Sequence, residues 1–384
     1  EIGAGRCHQH LPNRCLRDLA QLSEGNEMHI LGKMEADDFE QIIVLNNNSS
    51  GLKGFIAIHD TTLGPALGGT RLWQYESEEE ALSDVMRLAQ AMTLKASVAG
   101  LDCGGGKAVV MDSPSLKREA AFRVLGRYVE SLAGRFFTAR DVGTTVEDIA
   151  VLRQETRWAT DESNPNLGDL NFYTALGTLQ GIKAGATVGL KKDSLEGLTV
   201  AVQGAGAVGS ALIEMLTAEG AKVLAAEPDE SRREKLFRIS GVSLVEPEEI
   251  LGVRCDVLSP CALGGVITAE SIDTVKAKVI AGCANNILAE EYLGKTLAER
   301  GLIYVPDFVI NSGALIQGAN YYLKDKRDNT ADVKRIYDVA LNILKVSLEE
   351  GRATNSVAES MALERLKRPK TYESIFKASS HDAG

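Results

Sequence analysis

The chain has 384 residues, 44% of them hydrophobic and 25% charged, an ordinary globular composition with room for two domains. Its net charge of −11, from 42 basic and 53 acidic side chains, argues against nucleic acid or an anionic membrane surface as partner. No apolar run approaches the ~20 residues that span a bilayer, no secretory signal pattern opens the chain, and six scattered cysteines form no disulfide framework, so a reducing cytoplasm is expected.

Residues 1–27 read as an extension, a tag remnant or a mobile tail. Within them, Cys7, His8, His10 and Cys15 have zinc-ligand chemistry, but their spacing fits no common finger and no metal is expected. Gln41–Leu45 and Phe55–His59 read as strands, and the turn residues from Asn46 to Gly51 make a hairpin of them. Gly64–Arg71 reads as a glycine-rich loop. Ser77 with Glu80 forms a capping box. It opens a helix with Leu82, Val85, Met86, Ala89 and Met92 at helical spacing, which delivers Lys95 near its end.

A second lysine, Lys107, follows Gly104, Gly105 and Gly106. The three glycines read as a turn whose backbone can take positive φ and approach a ligand closely. A strand then runs from Lys107 to Met111, and a helix spans about residues 117–132. A short strand from Arg135 to Thr138 ends at Asp141. A desolvated lysine loses its proton more easily and can serve as a general base, while a second lysine stays charged and holds an anion. The plain alternative is a loop carrying two solvated lysines. Asp141, at a strand end, either takes part in chemistry or orders its loop.

The second half changes character. Strand Thr199–Gln203 is followed by Gly204, Gly206, Ala207, Val208 and Gly209 in a GxGxxG pattern, then by a helix to Glu219, a strand Lys222–Ala226 and the acid Glu227. This is the dinucleotide-binding fingerprint, with the diphosphate on the helix N-terminus and the acid on the ribose 2′-hydroxyl. A carboxylate there repels a 2′-phosphate, so NAD is favoured over NADP, although Arg232 and Arg233 lie close by. Strands at Asp256–Ser259, Val279–Ala281 and Ile303–Val305 continue a doubly wound α/β pattern.

Together these features resemble the glutamate/leucine/phenylalanine/valine dehydrogenase family over roughly residues 28–366. Leu101–Pro114, with its Gly-Gly-Gly-Lys core, carries most of the likeness. Gly64–Arg71, Thr138–Thr145, Pro260–Gly264, Ala281–Asn286 and Pro306–Asn311 add to it. The resemblance implies a mixed-sheet N-terminal substrate and oligomerisation domain over 28–172 and a Rossmann NAD-binding domain over 173–329. It also implies C-terminal helices over 330–366 that return to the first domain, then a tail over 367–384. It implies a leucine dehydrogenase-like reaction, the reversible oxidation of an L-amino acid by NAD to a 2-oxo acid and ammonia, in a homo-oligomer between dimer and octamer.

Roles follow by the same resemblance. Lys107 is the base with a lowered pKa, Asp141 exchanges a proton with the amino group, and Lys95 holds the substrate carboxylate. Leu67, Gly68, Asn285, Asn286, Leu315 and Gly318 border the substrate. Gly204, Gly206, Ala207, Val208, Gly209, Glu227, Thr174, Cys261, Ala262 and Asn285 meet the cofactor. Leu67 stands where glutamate-using relatives carry lysine, so an apolar side chain is expected, of leucine, valine or isoleucine type. Gly318, where branched-chain relatives usually have valine, leaves room for phenylalanine or tryptophan as the alternative.

Two departures stand out. Leu170-Asn171-Phe172 replaces the family's Pro-Ser-Pro before Thr174, which puts pocket shape and closure in doubt. Arg140 replaces a common glutamate and is expected to keep its neighbour Asp141 ionised. Two other classes compete: a catalytically silent scaffold or sensor that binds NAD or amino acid, and a hydroxy-acid oxidoreductase with a histidine base. His8, His10 and His381 lie near the chain ends, and His29 and His59 read as structural.

Overall fold

A computed structural model describes residues 30–367; the cysteine–histidine cluster, the extension over 1–27 and the tail beyond 367 lie outside the described residues. Helix α1 (Ile30–Ala36) belongs to a short unit that ends at Phe39. A second unit begins at Glu40 and holds two sheets.

The first sheet contains β1 (Gln41–Asn47), β2 (Leu52–Asp60), β3 (Ala66–Trp73), β4 (Gly104–Met111) and β5 (Phe136–Arg140), in the order β1-β2-β4-β3-β5. The β1–β2 hairpin is antiparallel, β2 pairs antiparallel with β4, and β4, β3 and β5 run parallel. Helix α2 (Glu78–Val98) crosses one face. It starts where Ser77 accepts a hydrogen bond from the Glu80 amide, with Glu78, Glu79 and Glu80 favouring the positive end of its dipole. Helices α3 (Arg118–Ser131) and α4 (Val146–Arg153) cover the other face, where Phe122, Leu125, Phe136 and Leu152 are fully buried.

Of the two glycine-rich segments read as a loop and a turn, residues 66–71 and 104–106 are strand, and only Gly64 and Pro65 remain in a bend. A Cβ on Gly68 would lie 1.7 Å from the Gly106 carbonyl oxygen, and one on Gly105 would lie 2.1 Å from the Thr93 amide nitrogen. Gly104, Gly105 and Gly106 take no positive φ. Their missing side chains let β3, β4 and α2 approach one another, which is the structural use of glycine inside a strand. Lys95, in the last turn of α2, and Lys107, within β4, are thereby brought to one end of the sheet.

Helix α5 (Leu170–Gly185) leads to the second sheet, which is wholly parallel. Its strands are β6 (Thr199–Gln203), β7 (Lys222–Ala226), β8 (Val242–Leu244), β9 (Val257–Pro260), β10 (Val279–Ile280) and β11 (Ile303–Tyr304), in the order β11-β10-β9-β6-β7-β8. Strand order reverses beside β6, the place where doubly wound sheets bind ligands. Helices α6 (Ala207–Ala218), α7 (Glu230–Phe237), α8 (Leu293–Glu299) and α9 (Asp307–Ile310) connect or follow these strands. The remaining helices are α10 (Gly313–Lys324), α11 (Thr330–Lys334), α12 (Ile336–Glu350) and α13 (Thr354–Leu366). Helix α13 abuts the end of α2: Ser97 Oγ donates to the Ala362 carbonyl (2.7 Å), and Arg365 donates to the carbonyls of Ser97 and Gly100 (both 3.2 Å). Among the described residues no helix is long and apolar enough to cross a membrane.

Candidate active site

A cavity of about 540 Å³ opens at the ends of β3, β4 and β5. It gathers Leu67, Gly68, Lys95, Lys107, Asp141, Leu315 and Gly318 from separate parts of the chain. Lys107 Nζ lies 3.0 Å from Asp141 Oδ2, with the lysine side chain 6% exposed. Arg71 Nε donates to the same carboxylate oxygen at 2.9 Å, and its Nη1 reaches Asp84 at 3.0 Å. Oδ2 therefore takes both cations. The Asp141 loop is pinned: its amide donates to Thr144 Oγ1 (2.9 Å), whose hydroxyl also bonds the Thr70 carbonyl (3.1 Å) on β3.

The electrostatics follow from burial. Desolvation pushes Lys107 below the ordinary lysine value, and neighbouring Asp141 opposes this without reversing it. An ion pair normally raises its lysine; here burial outweighs the pair. Burial alone would raise the Asp141 carboxyl, but Lys107 and Arg71 bring it below the usual carboxylate value. Burial also lowers Lys95, to about 8, against the pull of Asp307. Lys95 keeps part of its surface open to the cavity, although protein encloses it at longer range.

One expectation is corrected here. Arg140 does not pair with Asp141: its guanidinium is bound to Glu162 (2.8 and 3.0 Å), and Arg71 from the next strand takes the place at Asp141. Arg71 is also a cation that lowers Lys107, and repulsion between Lys107 and Lys95 lowers Lys95. Arg71 stood in plain view at the end of the Gly64–Arg71 motif. The other residue missed is Asp307, whose buried carboxylate accepts the Ile287 amide at 2.7 Å and faces Lys95. At the Leu170–Phe172 departure, Asp169 caps α5 by accepting the Asn171 amide (2.9 Å). Leu170 and Asn171 border the cavity, while Phe172 is exposed and stacks edge-on against Tyr173. His59 is buried and bonds Thr93 Oγ1 at 2.8 Å, a structural place.

Not every expected residue borders this cavity. Thr174 spends its hydroxyl on the Leu170 carbonyl, Asn285 Oδ1 accepts from Asn311 Nδ2 (2.9 Å), and Asn286 takes a left-handed φ of 53°. These three sit outside its lining.

A second constellation lies at the β6–α6 turn. Gly204 has φ 92°, and a Cβ there would lie 2.5 Å from that of Ala262. A Cβ on Gly209 would meet the Gly204 carbonyl oxygen at 2.1 Å, so α6 starts tight against the strand. Gly206 faces open space, and no side chain caps α6, whose first residues are Ala207 and Val208. Exposed amides at an uncapped helix start, beside a glycine with room around it, fit a diphosphate. Cys261 is tied into the same turn by its amide, which donates to the Gln203 carbonyl at 2.8 Å. Glu227 stands at the end of β7 but turns inward. Its oxygens accept the Ala205 amide (2.8 Å), the Asp229 amide (3.1 Å) and Arg232 (3.2 Å). Arg233 pairs with Glu246 at 2.8 Å, so both arginines beside the turn are neutralised by acids.

Residues 40–158 match the family model described as Glu/Leu/Phe/Val dehydrogenase, dimerisation domain, and residues 229–332 match that described as Glutamate/Leucine/Phenylalanine/Valine dehydrogenase. The leucine dehydrogenase of Bacillus cereus is 43% identical over 359 residues, which is 92% of this chain and 98% of that protein. The chain belongs to the Glu/Leu/Phe/Val dehydrogenase family. It is an amino-acid dehydrogenase, an oxidoreductase built on this two-sheet α/β fold. The family members it resembles differ in their names. The phenylalanine dehydrogenase of Bacillus thermotolerans is 41% identical over 86% of this chain and 89% of its own. The crystal structure of L-tryptophan dehydrogenase from Nostoc punctiforme superposes with a TM-score of 0.80 at 38% identity, covering 88% of this chain and 98% of that one.

Proposed function

We propose that this dehydrogenase oxidises apolar L-amino acids of the leucine, valine or isoleucine type to 2-oxo acids and ammonia, with Lys107 as general base. The observation that carries the reading is a buried Lys107 ammonium 3.0 Å from Asp141, in a cavity that also holds Lys95 and the apolar wall of Leu67. Lys95 anchors the substrate carboxylate. Asp141, ionised, takes a proton from the substrate ammonium and leaves a neutral amine. Bound NAD supplies the acceptor for the hydride on Cα. Neutral Lys107 then takes a proton from water as the water oxygen attacks the iminium carbon. Asp141 returns its proton to nitrogen; as the C–N bond breaks and ammonia leaves, the hydroxyl proton passes to the freed Asp141 carboxylate, which leaves the 2-oxo acid.

Gly204, Gly206, Ala207, Val208 and Gly209 would hold the NAD diphosphate, with Cys261 and Ala262 beside it. Glu227 would meet the ribose once the half-exposed Arg232 swings aside, and Thr174 and Asn285 would border the nicotinamide end. Glutamate is a poor substrate in this reading. Leu67 offers its side-chain carboxylate no partner, Arg140 is already neutralised by Glu162, and an unpaired buried carboxylate costs several kcal/mol. Phenylalanine or tryptophan is the alternative, favoured by Gly318, around which a Cβ would meet nothing within 4 Å. The match to a dimerisation domain over 40–158 supports self-association as a homo-oligomer.

Initial rates with each of the twenty amino acids, and with NAD or NADP, test the reading. Reduction of NAD should be fastest with branched aliphatic substrates and should vanish in Lys107→Ala, with NAD still bound. Fastest turnover of an aromatic substrate would move the assignment to the alternative. Undiminished turnover in Lys107→Ala would remove the base.

A further inference from the structure

The loop after β10 carries Asn285 and Asn286 and stands between the two constellations. On one side it abuts the segment beside the cofactor turn: the Ala284 amide donates to the Pro260 carbonyl (3.1 Å), and the Gly265 amide donates to the Asn286 carbonyl (2.6 Å). On the other side, Cys283 and the adjoining Asp307 come close enough to Lys95 to bear on its charge. Asn286 is held at φ 53°, a conformation few non-glycine residues adopt.

Helix α9 holds this loop. Asp307, its first residue, accepts the Ile287 amide at 2.7 Å. Asn311, which follows its last turn, donates from Nδ2 to the Cys283 carbonyl (3.2 Å) and to Asn285 Oδ1 (2.9 Å). Both side chains are buried.

The two bonds from Asn311 fix which way Asn285 faces. A backbone carbonyl only accepts, so the group that Asn311 turns toward Cys283 is its NH2. The same NH2 meets the Asn285 side chain, which must therefore present its oxygen. The NH2 of Asn285 is thereby turned away from Asn311. Asn285 is exposed, and its NH2 has no hydrogen-bond partner among the described residues. Asn311 Oδ1, by contrast, is buried with no partner. An unpaired buried acceptor costs stability. Packing therefore does not account for an asparagine here, whereas the use of both its N–H groups does.

We infer that Asn311 is a positioning residue: it locks the Asn285 carboxamide with the NH2 outward, as a ready donor to an acceptor oxygen where substrate and nicotinamide meet. That oxygen belongs to the substrate carboxylate or to the nicotinamide carboxamide, one chemistry from two sources. The inference rests on the proposed place of Asn285 at the nicotinamide end.

The test is a double-mutant cycle on kcat/KM in the full-length enzyme. Asn285→Ala and Asn311→Leu should each lower kcat/KM about twentyfold, the worth of one hydrogen bond to a charged group. The double variant should fall no further than the poorer single variant, to within about twofold. ADP-ribose, which lacks nicotinamide, should bind Asn311→Leu as it binds wild type, which separates a lost donor from a damaged fold. A rise confined to KM for the amino acid names the carboxylate as acceptor, and a rise confined to KM for NAD names the nicotinamide. If Asn311→Leu folds poorly, Asn311→Ser, smaller and still a donor, must show the same non-additivity with a smaller loss. Full kcat/KM in Asn311→Leu, losses that multiply in the double variant, or weakened ADP-ribose would overturn the inference while leaving Asn285 in its place. Unchanged kcat/KM in Asn285→Ala would instead remove that place, and the inference with it.

Discussion

Two clusters of glycine stand out in this enzyme, and they differ at one position, Gly206. In β3 and β4 the space a side chain would need is filled by protein: a Cβ on Gly68, Gly104 or Gly105 would fall within 2.1 Å of backbone atoms. At the β6–α6 turn, Gly206 faces nothing within 4 Å. The first cluster is spent on internal approach, which seats α2 on the sheet and sets Lys95 against Lys107. In the second, Gly204 and Gly209 are packed just as tightly, and Gly206 alone leaves room outside, where the proposed diphosphate would lie. A glycine pattern alone does not distinguish these uses; the neighbour that fills or vacates the Cβ position does.

That contrast can be broken most forcefully at Gly105. Gly105→Ala must push the Thr93 turn of α2 away from β4, a misfit of about 3 kcal/mol. It should lower the melting temperature and abolish turnover together. A variant with native stability and rate would show that the approach of helix to strand is not what seats the lysines. Arg71→Leu should act next most strongly, with a fall in kcat of about a hundredfold. Asp141 loses one of the two cations that hold its carboxyl low, so its pKa rises. The acidic limb of the kcat profile should then move to higher pH, and an unmoved limb would leave Arg71 a structural role only.

A milder test uses pH. Lys95, lowered by burial to about 8, is charged below that value and neutral above it. KM for the amino acid should therefore climb as pH rises through about 8, whereas NAD affinity, which involves no lysine of the first sheet, should stay level. Flat substrate KM across that range would separate Lys95 from the carboxylate. The smallest effect is expected from Gly206→Ala, which should leave stability within about 0.5 kcal/mol and raise KM for NAD about tenfold. Destabilisation comparable to that of Gly105→Ala would erase the distinction between the clusters.

The sequence was most legible where local pattern and tertiary place agree. The strands Thr199–Gln203 and Lys222–Ala226 were read to the residue, because short runs of small and β-branched residues bounded by glycine leave few alternatives. The hairpin partners were also seen, one or more residues short at some ends. Residues 66–71 and 104–106 were misjudged as loop or turn because glycine has low strand preference, and the packing that demands it comes from other elements. Strand β8 (Val242–Leu244) has three residues and too little periodicity to notice. At the site, Lys95, Lys107 and Asp141 were legible as residue types that a lysine-based mechanism needs, and they do converge. The partner of Asp141 was not legible. Arg140 is its neighbour in sequence but is turned to Glu162, whereas Arg71 arrives from 70 residues away on an adjacent strand.

The account depends on Lys107 surrendering its proton more readily than an ordinary lysine, despite the carboxylate beside it. Selective isotope labelling of lysine, with the Lys107 signal assigned by Lys107→Arg and followed by NMR across pH in the folded enzyme, measures this directly. The predicted result is a midpoint below the usual value of 10.5, because burial outweighs Asp141. A midpoint at or above 10.5 would mean the ion pair dominates, and Lys107 could not serve as the base.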